Sequence, residues 1–555
     1  MLNKQYDALV IGSGAAGSFA AKELTERGLN VLLLEAGRNI TRDDFKPVAE
    51  PPERSLKLRA RLRAALGGQH VQARVAFYGK QMRLFFVNDR EHPYSTPADR
   101  PFLWIRGKQI GGRLHSFGRV LLRWTDYDFK AASRDGHGVD WPVSYAELAP
   151  YYDKVEEFLG LCGTVDDAPS LPGGRYIKPS KLTSFEQRFK EALRARWPGR
   201  HAVPWRYMPP DSERLPRPLL AAHATGRLTV VADAAVVRIT SDPLTGKATG
   251  VEYVHRITRE RQTASARVVV VCASPVESIR LLLNSASAKH PNGIGNSSGV
   301  LGHYFMDQCA TMTFGSLPGQ SGFEVEDTVE PDPFYGVSGG VFIARYENLD
   351  TANGKFKRGF TFQGSMGRQF VRPGEPAKFA IMGFGEMLPY RDNRVSLNPD
   401  KKDAWGMPIP HISCGMHENE ISMLREQTRA IHEMLANAGM EVEVTGSFLG
   451  VEEQGRGAFP EMNAVSRYIF RKTFRDSLCM GAAIHECGGA RMGSNPADSF
   501  LNGYNQSWDV PNLFVTDASS FPSGGSVGTT LTVMALTVRA CEYIADEFAA
   551  GAFAG

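Results

Sequence analysis

The chain has 555 residues, 42% of them hydrophobic, which is enough for more than one buried core in a globular protein. Its 64 basic and 60 acidic side chains leave a formal charge of +4, too even a balance to make nucleic acid or an anionic membrane surface the expected partner. Seven cysteines are scattered with no Cys-x-x-Cys pair, which argues against a disulfide framework, a zinc site or an iron–sulfur cluster, so no metal is expected.

The opening stretch, Tyr6 to Gly37, reads YDALVIGSGAAGSFAAKELTERGLNVLLLEAG. The apolar run Ala8 to Ile11 meets a turn with Gly12, Gly14 and Gly17, then a helix-period segment Ser18 to Arg27 and a second apolar run, Val31 to Leu34, which together make a βαβ unit. Gly12 permits the tight turn, Gly14 lets the backbone approach a pyrophosphate, Gly17 lets helix pack on strand, and the helix amino terminus faces the phosphate charge. Glu35 ends the second strand where a carboxylate can accept both hydroxyls of an adenosine ribose. A dinucleotide is the expected ligand. Because this unit starts within six residues of Met1 and no apolar run approaches a membrane span, the chain reads as cytoplasmic, with export beside a signal-bearing partner as the alternative.

Arg38 to Lys80 is rich in Pro and Arg, and Ser55 to Arg63 alternates apolar with basic residues, as an edge strand or one face of a lid helix would. A solvated charged face is the simpler reading of it and a docking surface for an acidic partner the functional one. In Trp104 to Gly118, Gly107, Gly111 and Gly112 lie beside Arg106 and Lys108, so backbone amides can approach a ring or phosphate next to cations that suit an anionic cofactor. Asp140-Trp141-Pro142 followed by Ser144 leads into an amphipathic helix, Glu147 to Leu159. Gly163 to about Pro218 is Pro-rich and irregular, as at a domain crossing.

Strands are expected at Leu228 to Val231, Ala235 to Ile239 and Ala248 to Val254. Arg267 to Cys272 is a buried parallel-type strand that turns at Ala273-Ser274-Pro275 into the helix Val276 to Asn284. From Thr311 to about Val444 strands alternate with loops, including Phe379 to Met387, Arg394 to Leu397 and Pro408 to Cys414, with a helix from Glu418 to Ala438. This pattern suggests an antiparallel sheet in a separate substrate domain. Ile484 to Gly493, containing His485, precedes a strand Leu513 to Thr516, Asp517, a Gly/Ser turn Ser523 to Gly528 and a helix Thr530 to Phe548 whose positive end again offers itself to an anion. The tail Ala549 to Gly555 reads as disordered.

In order and spacing these blocks resemble the glucose-methanol-choline family of FAD oxidoreductases. The resemblance rests on Gly12-x-Gly14-x-x-Gly17 with Glu35-Ala36-Gly37; Arg106-Gly107 with Gly111-Gly112; Asp140-Trp141-Pro142; Cys272-Ala273-Ser274; Leu301-Gly302-His303; and His485 through Gly493 with Asp517-Ala518-Ser519. Asn88 to Gly118 with Asp126-Tyr127-Asp128-Phe129 is similar, more narrowly, to the bacterial branch of glucoside 3-dehydrogenases and related sugar oxidoreductases.

The resemblance implies an α/β and α+β fold. Residues 1–160, 225–310 and 480–555 would form a discontinuous Rossmann-type FAD-binding domain, and 161–224 and 311–479 a substrate domain on an antiparallel sheet. It implies FAD as cofactor. Gly12, Gly14 and Gly17 would contact the pyrophosphate, Glu35 the ribose, and Arg106 the anionic cofactor. Val236 would lie by the adenine, Gly111 and Gly112 along the flavin, Asp517 by the ribityl chain or pyrophosphate, and Gly528, Thr529 and Thr530 at the flavin end of the last helix. His485 matches the family's catalytic base, for which an imidazole with a pKa near working pH is suited.

The implied reaction is oxidation of a secondary hydroxyl of a sugar or glycoside, at carbon 3, to a ketone. The rival readings are a flavin-dependent lyase and a non-catalytic flavin-binding subunit. Tyr390 and Trp405 are candidates to stack on sugar rings, with core packing as the simpler role.

Three departures from the family pattern stand out. The usual second His or Asn aligns with Gly528, and Thr529 replaces a proline, so that either Ser526, Thr529 or another side chain takes the role or the chemistry is slower or different. The segment Pro204 to Ala222 lacks the cysteines that carry an iron–sulfur centre in some relatives, leaving dioxygen, a quinone or a cytochrome as acceptor and a small partner subunit as an open possibility. His115 lies one residue off the spacing at which some relatives attach FAD covalently.

Overall fold

The computed structural model describes residues 5–47, 54–75, 78–211, 213–321, 332–368 and 375–553. Two seven-stranded sheets organise them.

In the first sheet, Leu228–Val231, Val31–Leu34, Tyr6–Ile11 and Arg261–Val271 run parallel in that spatial order, and Leu513–Val515 pairs parallel with the far edge of Arg261–Val271. Both faces of this region are covered, and Ala8 to Val10 and Val268 to Val271 are fully buried. That is why they read as unbroken apolar runs instead of alternating ones. The strand Arg261–Val271 is longer than the sequence suggests because it serves two partners. Its first half pairs antiparallel with Ala248–His255, which pairs in turn with Ala234–Ser241, and its second half pairs with Tyr6–Ile11. Helices Ala15–Glu26, Tyr145–Leu159 and Thr530–Ala549 pack side by side against this sheet.

The second sheet is antiparallel throughout, in the order Gly450–Glu453, Glu441–Ser447, Gln308–Ser321, Pro376–Glu386, Phe360–Met366, Val341–Ile343, Ala202–Pro204. Helices Glu418–Asn437 and Ser184–Arg196 cover one face, burying Met423, Ile431 and Met434 against Phe185, Phe189 and Leu193. The other face looks across a cavity toward the first sheet.

Several expectations change. The supposedly irregular stretch after Gly163 holds the helix Ser184–Arg196, whose Thr183 and Glu186 form a reciprocal capping box that the pattern Thr-x-x-Glu could have announced. Helix Ala464–Ser477, started by Asn463, was not anticipated either. Ser55 to Arg63 lies within the helix Arg54–Leu66, which settles helix over edge strand. Domain boundaries shift as well: helix Arg217–Ala224 packs on Ala15–Glu26, and Gln308 opens a strand of the second sheet. The chain end is ordered through Phe553, which is buried against Phe514 and accepts a hydrogen bond from Arg267, because the last helix needs its apolar end covered.

Candidate active site

One continuous cavity of about 2160 Å³ runs from the βαβ turn to the free face of the second sheet. A drug-sized ligand fills a pocket of roughly 300–1,000 Å³, so this space has room for a dinucleotide and a second molecule together.

At the nucleotide end the turn is shaped by two contacts. A Cβ on Gly17 would lie 1.8 Å from the Gly12 carbonyl oxygen, so only glycine lets helix meet strand there. A Cβ on Gly14 would meet nothing within 4 Å, so that side of the turn is open to the cavity beside the amino end of helix Ala15–Glu26. Ser13 ties the cradle together: its Oγ donates to Glu35 Oε2 at 2.6 Å and accepts the Gly111 N–H at 3.0 Å.

Glu35 also accepts the Ser13 and Gly37 N–H groups. A carboxylate offers about four acceptor positions, so room remains for about one ribose hydroxyl where the sequence suggests two. Burial pushes its carboxyl up even so. Asp517 accepts from Ser274 and Ser519 N–H groups and from the Ser278 and Ser519 hydroxyls, which fixes the turn at Ser274 against the last strand. Val236 lines the cavity beside a register slip at Val237, which frees local backbone from the ladder.

Arg106 forms part of the wall. Its guanidinium lies 3.7 Å from the centre of the Trp104 ring and donates to the His92 carbonyl, while burial lowers its pKa. Lys108 pairs with Glu277 at 3.0 Å, and although burial opposes it, Lys108, Arg280 and Arg106 hold Glu277 down to about 2. His115 does not face the cavity. It sits against Phe45 and Phe85 with Nε2 at 2.9 Å from the Ile110 carbonyl, so the shape of its pocket directs it away from the space a flavin would fill. Gly111 and Gly112 precede it, and Gly112 lines the cavity against Gly14.

At the far end, His485 lines the cavity with Gly528, Thr529 and Thr530. Its backbone N–H donates to Asp307 Oδ1 at 2.9 Å, and its ring lies 5.1 Å from that of Phe384. Asp307 also accepts the Gly481 N–H, and burial together with the neighbouring Glu486 raises its pKa.

Gln308 decides which ring nitrogen of His485 carries the proton. Its Nε2 donates to the Gly525 and Val527 carbonyls at 2.8 and 3.0 Å, so its Oε1 is what faces His485 Nδ1, at 2.6 Å. A carbonyl oxygen only accepts, so this network assigns the proton to Nδ1 and leaves the Nε2 lone pair free. A Cβ on Gly528 would stand 3.5 Å from that Nε2, so nothing but backbone flanks it there.

Burial, with a smaller contribution from Arg113, pushes the imidazole down to about 4, well below the near-neutral value the sequence reading expects. Arg113 is held by Glu486 at 2.7 Å and Ser274 at 3.1 Å. Of the two named substitutes for the missing second residue, Ser526 does not line the cavity, and Thr529 does. Tyr390 stacks on His417 at 3.8 Å away from the cavity, and Trp405 stacks on His92 at its nucleotide end, so neither is beside His485.

Gln308, Ser13 and Arg113 escaped sequence reasoning. For Gln308 a signal existed, since Asp307 and Gln308 stand as two adjacent buried polar residues where the strand Gln308–Ser321 begins. Gln308→Leu is expected to slow substrate oxidation about tenfold to a hundredfold while the protein keeps its cofactor, because the wrong tautomer then competes; stopped-flow flavin reduction on the purified variant checks this.

A nucleotide cradle opposed across one cavity by a half-buried imidazole and an antiparallel sheet has the make-up of a flavoprotein oxidoreductase. Comparison with known proteins makes this specific. Two GMC oxidoreductase family models match residues 216–308 and 389–537, and a model of an NAD(P)-binding Rossmann-like domain matches residues 10–57. A 2-methyl-1,2-propanediol dehydrogenase of Mycolicibacterium austroafricanum is 30% identical, over 98% of this chain and 96% of its own. A C-glycoside 3-oxidase of Arthrobacter globiformis is 23% identical, over 98% and 95%. In fold, a formate oxidase of Aspergillus oryzae superposes with a TM-score of 0.66 at 16% identity, covering 99% of this chain and all of that one.

The chain belongs to the GMC oxidoreductase family. It is an enzyme acting on CH–OH groups with FAD as cofactor, and the open Gly14 turn, the Glu35 cradle and the continuous cavity fit that cofactor. No helix among the described residues is long and apolar enough to cross a membrane.

Proposed function

We propose that the protein oxidises a secondary hydroxyl of a sugar or glycoside, at carbon 3, to the ketone, with His485 as the base. The observation that carries this reading is the Nε2 lone pair directed into the cavity by the Gln308 contact on Nδ1. Bound FAD supplies the hydride acceptor. His485 Nε2 takes the hydroxyl proton as the carbinol C–H pair leaves as hydride, and the imidazolium that results keeps its Nδ1–H on Gln308 Oε1. Thr529, which lines the cavity next to Gly528, orients the hydroxyl in this reading. The sugar assignment draws support from the similarity to the C-glycoside 3-oxidase.

The test is anaerobic titration of the purified holoprotein with a panel of glycosides and simple diols, followed by readmission of air. Bleaching of the flavin absorbance by glycosides is expected, with a ketone at carbon 3 by product NMR, and return of colour in air identifies dioxygen as a competent acceptor. A flavin that no alcohol bleaches overturns the reading and leaves the lyase or the non-redox subunit. Because the base must be neutral, and its pKa is depressed to about 4, the bleaching rate is expected to rise with pH through that value and stay level above it.

A further inference from the structure

We propose that the substrate is amphipathic: the reacting ring carries an aromatic or alkyl group that lies along an apolar track leading away from His485. This rests on the function proposed above. The strand that begins with Gln308 projects Ala310, Met312 and Phe314 onto the same face as Gln308, since alternate residues of a strand share a face. The register with Pro376–Glu386 sets Phe384 opposite Ala310, Met382 opposite Met312 and Ala380 opposite Phe314. These cross-strand pairs pave one surface, starting at the Phe384 ring against His485.

From Ala310 to Phe314 the strand rises four residues, or ~14 Å. There the Phe314 ring meets Phe459 at 6.0 Å and Phe474 at 5.8 Å, and helix Ala464–Ser477 roofs the track.

The neighbouring strand is different. Phe360–Met366 places Gln363 opposite Met382 and Ser365 opposite Ala380, on the same face, and neither side chain has a hydrogen-bond partner among the described residues. Gln363 and Ser365 offer a hydroxyl-bearing ring donors and acceptors on that side, while the paired faces of Gln308–Ser321 and Pro376–Glu386 from Ala310 to Phe314 offer the attached group alanine, methionine and phenylalanine. A site built for an unsubstituted sugar would surround it with polar partners, because hydroxyls buried against carbon go unsatisfied.

The experiment compares methyl, butyl and octyl β-glucosides with alkane-1,2-diols of matched chain length, reading kcat/KM for anaerobic flavin reduction by the holoenzyme. For any compound that binds without turnover, Kd is read from perturbation of the flavin absorbance. Burial of each methylene is expected to improve kcat/KM or Kd about fourfold. Met312→Gln is expected to cut the octyl-to-methyl ratio at least tenfold; Phe314→Ser, at the more open end, gives the same reading if the first variant fails to fold.

Glucosides accepted equally at every chain length remove the track and keep the sugar. Diols that improve with length while every glucoside fails keep the track and remove the sugar. A ratio that neither substitution moves overturns the proposal.

Discussion

His485→Ala is expected to leave the protein folded and yellow while slowing anaerobic flavin reduction by about a hundredfold to ten-thousandfold, the range typical for loss of a positioned general base. His485 is anchored at two points, by Gln308 on its ring Nδ1 and by Asp307 on its backbone N–H, and the second of these survives the substitution. Gln308 keeps its own donations to Gly525 and Val527, so only its Oε1 loses a partner, at a cost of about 1–3 kcal/mol. That is small enough for the fold to persist, and a thermal melt of the variant checks it. An unchanged bleaching rate would discard the assignment.

The second large effect is at the opposite end of the cavity. Gly17→Ala is expected to abolish retention of FAD and to lower the melting temperature of the apoprotein by several degrees. The new methyl would lie 1.8 Å from the Gly12 carbonyl oxygen and 2.8 Å from its carbon, both backbone atoms that no rotamer change can move aside. Helix Ala15–Glu26 would have to back away from the sheet, taking with it the amino terminus that opens on the cavity.

Gly14→Ala is the informative control. Its methyl meets no protein atom within 4 Å, so the apoprotein should melt as the parent does, yet the methyl occupies the space a pyrophosphate needs and FAD should be lost. Absorbance of the purified proteins and calorimetry of their apo forms separate the two cases. If Gly17→Ala keeps a full complement of flavin, the close approach of helix and strand is not what builds the cradle.

Much of the fold was legible because local signals agreed with global ones. The turn at Gly12 to Gly17, the apolar runs of the parallel strands and the Gly/Ser turn before Thr530 each carry a backbone requirement that only certain residues meet, and they lie where the sequence places them. Legibility ended where a residue's role depends on what crosses over it. Nothing in the spacing of Gln308 tells that its amide nitrogen is spent on two carbonyls some two hundred residues away, and that commitment is what turns its oxygen toward His485. The depressed pKa of His485 is likewise a product of enclosure and of Arg113, neither of which a motif records. His115 illustrates the converse: a residue close to the right spacing, turned into an aromatic box by packing against Phe45 and Phe85.

The strand Gln308–Ser321 has the geometry of a graduated rule. Its first residue sets the orientation of the His485 ring, and its later same-face residues, Met312 and Phe314, mark fixed offsets of ~14 Å and ~20 Å from that point. Which carbon of a ligand comes to rest beneath the imidazole is then a matter of length measured along one rigid backbone. Regiochemistry becomes adjustable by resizing a graduation, with bulk added at Met312 drawing the reacting position one notch inward and bulk removed letting it slide outward.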